Sequence, residues 1–298
     1  MTRFKTAKTL SLALGLACAG LPGLAAERAA ARDYPIQPVP FTQTEIADAF
    51  WAPRIETNRN VTVQHNLQSC QRTGRVQNFV VAARQAEGAF QGVFGFDDSD
   101  VYKVIEGAAF TLARQPDPAL DRQLDDVIAK IAAAQEPDGY LYTVGQIGKT
   151  AEKPICCVSK SRWEDLRSGH ELYNAGHLFE AAAAHFEATG KRNLLGVATK
   201  YADLLVRVFG PGKNMGVPGH EEVEIGLVKL FRVTGNEEYL KLARFYLDQR
   251  GNAQGHELYG VYNQDHEPVI QQSTAVGHAV RAAYLYTGMA DVAALTGA

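Results

Sequence analysis

The sequence lacks the features that several common protein classes require. It has four cysteines in 298 residues, which is too few for a fold held together by disulfides. Its 30 lysines and arginines are balanced by 33 aspartates and glutamates, and they form no basic run of the kind that nucleic-acid binding needs. It also lacks a glycine-rich phosphate loop, a G-x-S-x-G turn and an H-E-x-x-H zinc helix. We therefore expect a globular protein without a nucleic-acid partner.

The N-terminus has the layout of a secretory signal peptide. Basic residues precede an apolar stretch at residues 10–26, which glycine and proline interrupt. A membrane anchor is the alternative, but the stretch is short and broken for a transmembrane helix. The sequence predicts a signal peptide at residues 1–26 with cleavage near Ala25 or Ala26, then a proline-containing linker at residues 27–44. The mature protein is expected to be periplasmic or secreted, without a membrane span.

Three cysteines remain after this cleavage: Cys70 and the adjacent Cys156 and Cys157. No second pair of cysteines or histidines stands at the spacing of a zinc finger from them. We therefore interpret them as buried or loop thiols, and we predict no metal ligand among the residues of this chain.

A two-helix unit recurs along the chain. Apolar residues at helical spacing predict helices at residues 101–114 and 119–134, with a proline turn between them. Later units recur after about 50 residues. A Gly-His pair begins a helix at 169–170, 219–220 and 277–278, and a Thr-Gly pair ends one at 189–190, 234–235 and 287–288.

Such a repeat indicates either an open solenoid or a closed α/α toroid. The toroid is favoured because the repeated positions are polar, whereas solenoid repeats tend to keep apolar ones there. We predict an all-α fold over residues 45–298, an α/α toroid of the (α/α)6-barrel type. We place about eight or nine of the twelve helices that six hairpins need, so we expect the barrel to be incomplete because the chain ends early.

Five side chains are candidate substrate contacts. His170, His220 and His278 stand at equivalent positions of the repeats, so we expect them to face one cleft. A neutral imidazole donates one hydrogen bond and accepts another, which suits sugar hydroxyls. Trp163 is a candidate stacking platform, and Gln64 a candidate polar contact. Taken singly, each could equally be a packing or capping residue, and no glutamate is singled out as catalytic by its spacing.

Six motifs, in this order, resemble glycoside hydrolase family 127. The resemblance covers residues 45 to 298, nearly the whole chain after the signal peptide. The motifs are FWAPR at 50–54, DVYK at 100–103, PDGYL at 137–141, HELY at 170–173 with GHL at 176–178, VPGHEE at 217–222 and GHAVRA at 277–282.

The resemblance implies a retaining β-L-arabinofuranosidase, which removes terminal arabinofuranose from plant-derived glycans. It implies an α/α six-barrel followed by β-sandwich domains, and a sugar pocket lined by His170, His220, His278 and Gln64. It also implies a zinc ion, held by a glutamate and cysteines, that keeps a nucleophilic cysteine deprotonated.

In that family the catalytic glutamate and the zinc-binding cysteines follow the stretch that is matched here. We therefore expect no catalytic residue and no zinc ligand in this chain, and an inactive fragment on its own. Cys156 and Cys157 precede the His170 motif, so they do not correspond to the family's catalytic cysteine pair.

Two other functions stay open at this point. One is another α/α-barrel sugar enzyme, such as an unsaturated-uronyl hydrolase or a polysaccharide lyase. Its uronate substrate would require arginine or lysine in the cleft, where the inner helices offer histidine and glutamate. The other is a non-catalytic carbohydrate-binding remnant. The oligomeric state is not predicted.

Overall fold

The structure is a computed structural model that describes residues 32–148, 156–159 and 161–297. The predicted signal peptide at residues 1–26 lies outside this part of the chain, so its cleavage and export stay predictions. Residues 32–44 of the predicted linker contain a short 3₁₀ turn at Phe41–Gln43. None of the described helices is long and apolar enough to cross a bilayer.

The described residues form eleven α-helices, and their only β-structure consists of isolated bridges. A π-helical stretch, Asn58–Thr62, joins the first two helices. The helices are α1 Trp51–Thr57, α2 Val63–Arg72, α3 Arg75–Ala82, α4 Asp98–Arg114, α5 Pro118–Ala134, α6 Thr143–Ile147, α7 Glu171–Thr189, α8 Asn193–Val208, α9 Val223–Thr234, α10 Glu237–Gln249 and α11 Ala279–Thr296.

The long helices pack in two layers. In the inner layer, α4 packs against α7, α7 against α9, and α9 against α11. In the outer layer, α5 packs against α8 and α8 against α10, and each outer helix also packs against the inner helix of its hairpin. This is the arrangement of an α/α toroid, which confirms the predicted fold class.

Capping residues define where the hairpin helices begin and end. The carboxylate of Asp117 accepts two backbone hydrogen bonds at the start of α5, and Pro118 takes the first helical position. The side chain of Asn236 accepts one backbone hydrogen bond, from Glu238, at the start of α10. Gly190 and Gly235 follow α7 and α9 with a φ of 72° each, the left-handed conformation that glycine adopts at low cost. The first two predicted Thr-Gly ends are therefore confirmed.

The third predicted Thr-Gly end, at Thr287 and Gly288, is wrong. Helix α11 continues through both residues to Thr296 and ends at Gly297, whose φ is 73°. A Cβ atom on Gly288 would lie 3.1 Å from the Cβ of Glu224 on α9. This glycine therefore allows α11 to approach α9 closely, and it does not end the helix.

Small residues bring the inner helices together. A Cβ on Gly226 of α9 would lie 2.5 Å from the backbone oxygen of Gly176 on α7, a distance that no real side chain could occupy. The two glycines therefore allow α7 and α9 to approach each other closely.

Apolar side chains between the two layers form the core. Each large aliphatic or aromatic side chain that is fully buried there contributes about 1.5–3 kcal/mol. The core fixes the inner helices side by side, with the loops before α7, α9 and α11 at one end. Fully buried members of the core include Ile105, Leu124, Ile131, Phe179, Leu194, Leu205 and Leu227.

Candidate functional site

The three predicted histidines lie together at the ends of adjacent inner helices. His170 and His278 are the residues directly before α7 and α11, and His220 lies in the loop before α9. The ring centroids of His170 and His220 are 5.8 Å apart, and those of His220 and His278 are 6.0 Å apart. The structure therefore places three histidines from three repeats in one cluster, which we call the histidine cluster.

Backbone contacts orient two of these rings differently. The Nδ1 atom of His220 lies 2.9 Å from the carbonyl oxygen of Glu221, so Nδ1 carries the proton and Nε2 is left as an acceptor. The Nδ1 atom of His278 instead accepts from the backbone N–H of Arg281, at 3.4 Å. In the neutral ring its Nε2 then carries the proton and is a donor. The cluster thus offers one acceptor and one donor on neighbouring rings.

Burial keeps the imidazoles of His170 and His220 uncharged. It lowers the pKa of His170 to about 4 and that of His220 to about 3. The positive charge of Arg281 acts in the same direction on both pKa values. At neutral pH both rings are therefore neutral.

Tyrosine rings surround the histidine cluster, and the sequence did not single them out. The ring centroid of Tyr173 is 4.6 Å from that of His220, and the centroid of Tyr284 is 5.7 Å from it. Tyr262 lies 5.4 Å from His278. Tyr173 stands three residues after the Gly-His pair and so shares its helix face, but a tyrosine at that spacing is usually a core residue.

Two basic side chains also lie beside the cluster. The Lys103 ammonium donates to the hydroxyl of Tyr173 at 2.7 Å. Arg281 is 9% exposed, and its guanidinium carbon lies 4.8 Å from the ring centroid of Tyr262. Both cations contact tyrosines, so they help to hold the tyrosine rings beside the cluster in place.

The other two predicted contacts have different neighbours. The ring of Trp163 packs against Tyr140 and Phe209, with centroids 5.4 Å away in each case. The amide of Gln64 donates to Gln123 on the outer helix α5, at 2.9 Å. Neither side chain makes a hydrogen bond or ring contact with the histidine cluster among the described residues. Their roles as sugar contacts stay predictions.

The glutamates nearest the cluster are held by other protein groups. Glu171 accepts hydrogen bonds from the Tyr140 hydroxyl at 2.6 Å and the Ser159 hydroxyl at 3.2 Å. Glu221 is fully buried and lies 3.0 Å from Arg250. We assign a catalytic role to neither.

A second group of ionisable side chains lies next to the histidine cluster. The Nδ1 atom of His177 is 3.2 Å from Glu222 and 3.4 Å from Glu180, and Lys229 pairs with Glu180. Burial raises the pKa of Glu222 well above its usual value. Burial also opposes ionisation of Glu180, but hydrogen bonds from His177 and Glu222 and the charge of Lys229 lower its pKa overall. The pKa values of the two carboxyl groups are therefore shifted in opposite directions, and Lys229 pairs with the group whose pKa is lowered.

Two groups of a histidine with two acidic residues could in principle hold a cation. One is the His177, Glu180 and Glu222 group, in which Lys229 already supplies positive charge. The other is formed by residues 121, 125 and 185, where the Lys191 ammonium lies 2.6 Å from each carboxylate. Each group thus already has a lysine ammonium as a salt-bridge partner.

The described cysteines do not fit the zinc site that the family resemblance implies. Cys156 and Cys157 are joined by a disulfide. Our interpretation of them as thiols is therefore wrong, because these adjacent residues hold their sulfur atoms within bonding distance. Cys70 is buried on α2, and burial together with the charge of Asp100 raises its pKa to about 11. It is a thiol at neutral pH, and zinc requires thiolates.

Sequence comparison adds two findings. The family described as "Beta-L-arabinofuranosidase, GH127 catalytic domain" matches residues 43–298. The chain is also 41% identical over 244 residues to a non-reducing end β-L-arabinofuranosidase of Bifidobacterium longum subsp. longum. That match covers 74% of this chain and 36% of the other protein.

Comparison with solved structures agrees with the sequence comparison. A GH127 β-arabinofuranosidase superimposes with a TM-score of 0.83 at 47% identity, over 89% of this chain and 42% of the other. A GH127 β-L-arabinofuranosidase from Geobacillus stearothermophilus T6 gives a TM-score of 0.77 at 40% identity, over 85% and 42%. The chain thus spans between 36% and 42% of the length of these relatives.

Proposed function

Because the chain belongs to glycoside hydrolase family 127, we propose that its histidine cluster binds the terminal β-L-arabinofuranose of a glycan substrate. The protein would then be a β-L-arabinofuranosidase, the activity that its relatives' names give for them, and we expect plant-derived glycans as its substrates. Family membership also removes the alternative of an uronyl hydrolase or polysaccharide lyase.

The complementary polarity of His220 and His278 is the observation that carries this proposal. One ring offers an acceptor nitrogen and its neighbour a donor N–H. A sugar hydroxyl donates and accepts at once, so it can bridge two such rings. A charged imidazole could only donate, and the low pKa of His220 keeps its acceptor available at neutral pH.

The tyrosine rings beside the histidine cluster support the same proposal. Tyr173 and Tyr284 lie against His220 and offer apolar ring faces. The carbon-bound face of a small furanose ring can pack on such surfaces, while its hydroxyls meet the histidines. Lys103 donates a hydrogen bond to the hydroxyl of Tyr173 and so helps to hold this ring in place.

Substitution of His220 tests the proposal. We expect His220→Ala to weaken binding of methyl β-L-arabinofuranoside by about 1–3 kcal/mol, the loss typical of an unpaired polar contact. Isothermal titration calorimetry on this chain measures it without requiring hydrolysis. His65→Ala, on an exposed position of α2, is the matched control and should bind as the unaltered chain does. Equal affinity in the His220 and His65 variants would remove His220 from the site.

Hydrolysis of an aryl β-L-arabinofuranoside is followed in parallel. We expect binding without hydrolysis, because we assign no catalytic residue to this chain, and hydrolysis by it would rule out a non-catalytic carbohydrate-binding remnant. Zinc stays a prediction from the family resemblance.

We further propose export of the protein, on the basis of the signal-like residues 1–26. Edman sequencing of the mature protein tests this proposal, and we expect it to find a new N-terminus near residue 26.

A further inference from the structure

We propose that three buried side chains, Arg250, Asn263 and Gln264, position the loops that carry the histidine cluster. We call this set the loop hub. Each member is at most 3% exposed, and each donates hydrogen bonds to the backbone of other loops. The functional consequence rests on the proposed sugar site, whereas the positioning itself is a property of the fold.

Arg250 connects the end of α10 to two loops. Its Nη1 atom donates to the carbonyl oxygen of Asn263 at 2.9 Å, and its Nη2 atom donates to that of Pro218 at 2.7 Å. The same guanidinium lies 3.0 Å from the carboxylate of Glu221 and 3.6 Å from that of Glu224. The planar fork of arginine can serve several acceptors at fixed angles, and here all its contacts are shielded from water.

Asn263 connects the loops of two histidines. Its Nδ2 atom donates to the carbonyl oxygen of Gly219 at 2.8 Å and lies 3.5 Å from that of Arg167. Gly219 directly precedes His220, and Arg167 stands three residues before His170. One amide therefore contacts the backbone next to two rings of the cluster.

Gln264 reaches the loop of the third histidine. Its Nε2 atom donates to the carbonyl oxygens of Val276 at 2.7 Å and of His278 at 3.2 Å. The backbone of Gln264 is left-handed, with a φ of 51°. Adjacent residues hold loops from different repeats.

The hub also acts on the orientation of one ring. Arg250 fixes the side chain of Glu221, and the backbone oxygen of Glu221 is the contact that sets the tautomer of His220. Arg250 therefore positions the acceptor nitrogen of His220 through one intermediate residue. It does not touch the proposed sugar, so it is a positioning residue.

Backbone hydrogen bonds join the same loops but cannot replace the hub. The N–H of Gly219 donates to Leu166, and that of His278 donates to Tyr262. Each of these joins only one pair of loops, whereas the hub reaches all three. Loss of a hub side chain would also leave buried carbonyl oxygens without partners, at a cost that favours displacement of the loops.

Two variants test the hub in the chain as it stands. Arg250→Lys keeps the charge but cannot form the fork, and Asn263→Ala removes only the amide. We expect both to unfold cooperatively, to bind methyl β-L-arabinofuranoside at least about tenfold more weakly, and to show mixed Nδ1–H and Nε2–H forms of His220. Nitrogen-15 NMR of the imidazoles reports the tautomer directly, and a purely structural role would not change it.

Arg244→Met is the matched control, since this arginine lies on the same helix α10, is exposed and pairs with Asp248. It should keep both the affinity and the histidine spectrum. Unchanged affinity and an unchanged His220 tautomer in both hub variants would overturn the inference. If the unaltered chain binds no sugar, the proposed function fails, and the histidine spectrum still decides on the hub alone.

Discussion

His170 and His220 can accept hydrogen bonds because their rings stay neutral. The pKa of His170 is about 4 and that of His220 about 3 in the folded chain, against an ordinary value of 6.5. Protonation of either ring would remove an acceptor and place a charge beside Arg281. The chemistry of the cluster therefore depends on burial as much as on residue type.

The depressed pKa values predict how stability depends on pH. Between pH 6.5 and about 4 the unfolded chain binds protons that the folded chain does not, so the free energy of unfolding falls as the pH falls through this window. We expect His220→Gln to reduce this slope by up to about 1.4 kcal/mol per pH unit. Urea unfolding at pH 7, 6, 5 and 4 measures it, and equal slopes in both proteins would contradict the burial argument.

The sequence allowed some of these residues to be identified and concealed others. His170, His220 and His278 could be predicted because they recur with the repeat. Tyr173 and Tyr284 could not, because aromatic residues at helical spacing are common in cores. The disulfide of Cys156 and Cys157 was also missed, since adjacency alone does not indicate oxidation.

At the level of helices, capping chemistry made most boundaries predictable. The predicted helices at 101–114 and 119–134 are observed at Asp98–Arg114 and Pro118–Ala134, because proline and aspartate mark the turn between them. The prediction failed at Gly288, where a glycine serves contact between helices. Sequence alone does not distinguish a glycine that ends a helix from one that admits a neighbour.

The contact between α7 and α9 yields a test at this scale. We expect Gly226→Ala to lower the free energy of unfolding by about 1–3 kcal/mol, because the new methyl group would overlap the backbone of Gly176. Urea denaturation followed by circular dichroism measures the change.

Gly196→Ala on the outer helix α8 is the control for this test. No atom lies within 4 Å of a Cβ built there, so the substitution should stabilise the chain by up to about 1 kcal/mol through helix propensity. A Gly226 variant as stable as the Gly196 variant would show that the contact between α7 and α9 can accommodate a methyl group.

At the level of the whole molecule, the toroid explains why residues distant in sequence form one site. Each helical hairpin returns the chain to the same end of the toroid, so every inner helix begins beside the start of the preceding inner helix. The repeat made this much predictable. The loop hub was not predictable, because Arg250, Asn263 and Gln264 belong to no repeat and their contacts depend on how the loops fold over one another.

The most direct test of the whole account is a crystal structure of this chain soaked with methyl β-L-arabinofuranoside. We predict that one sugar hydroxyl lies within hydrogen-bond distance of both the Nε2 atom of His220 and the Nε2 atom of His278, with the ring against Tyr173. A sugar bound at another surface, with the histidine cluster vacant at saturating ligand, would contradict it.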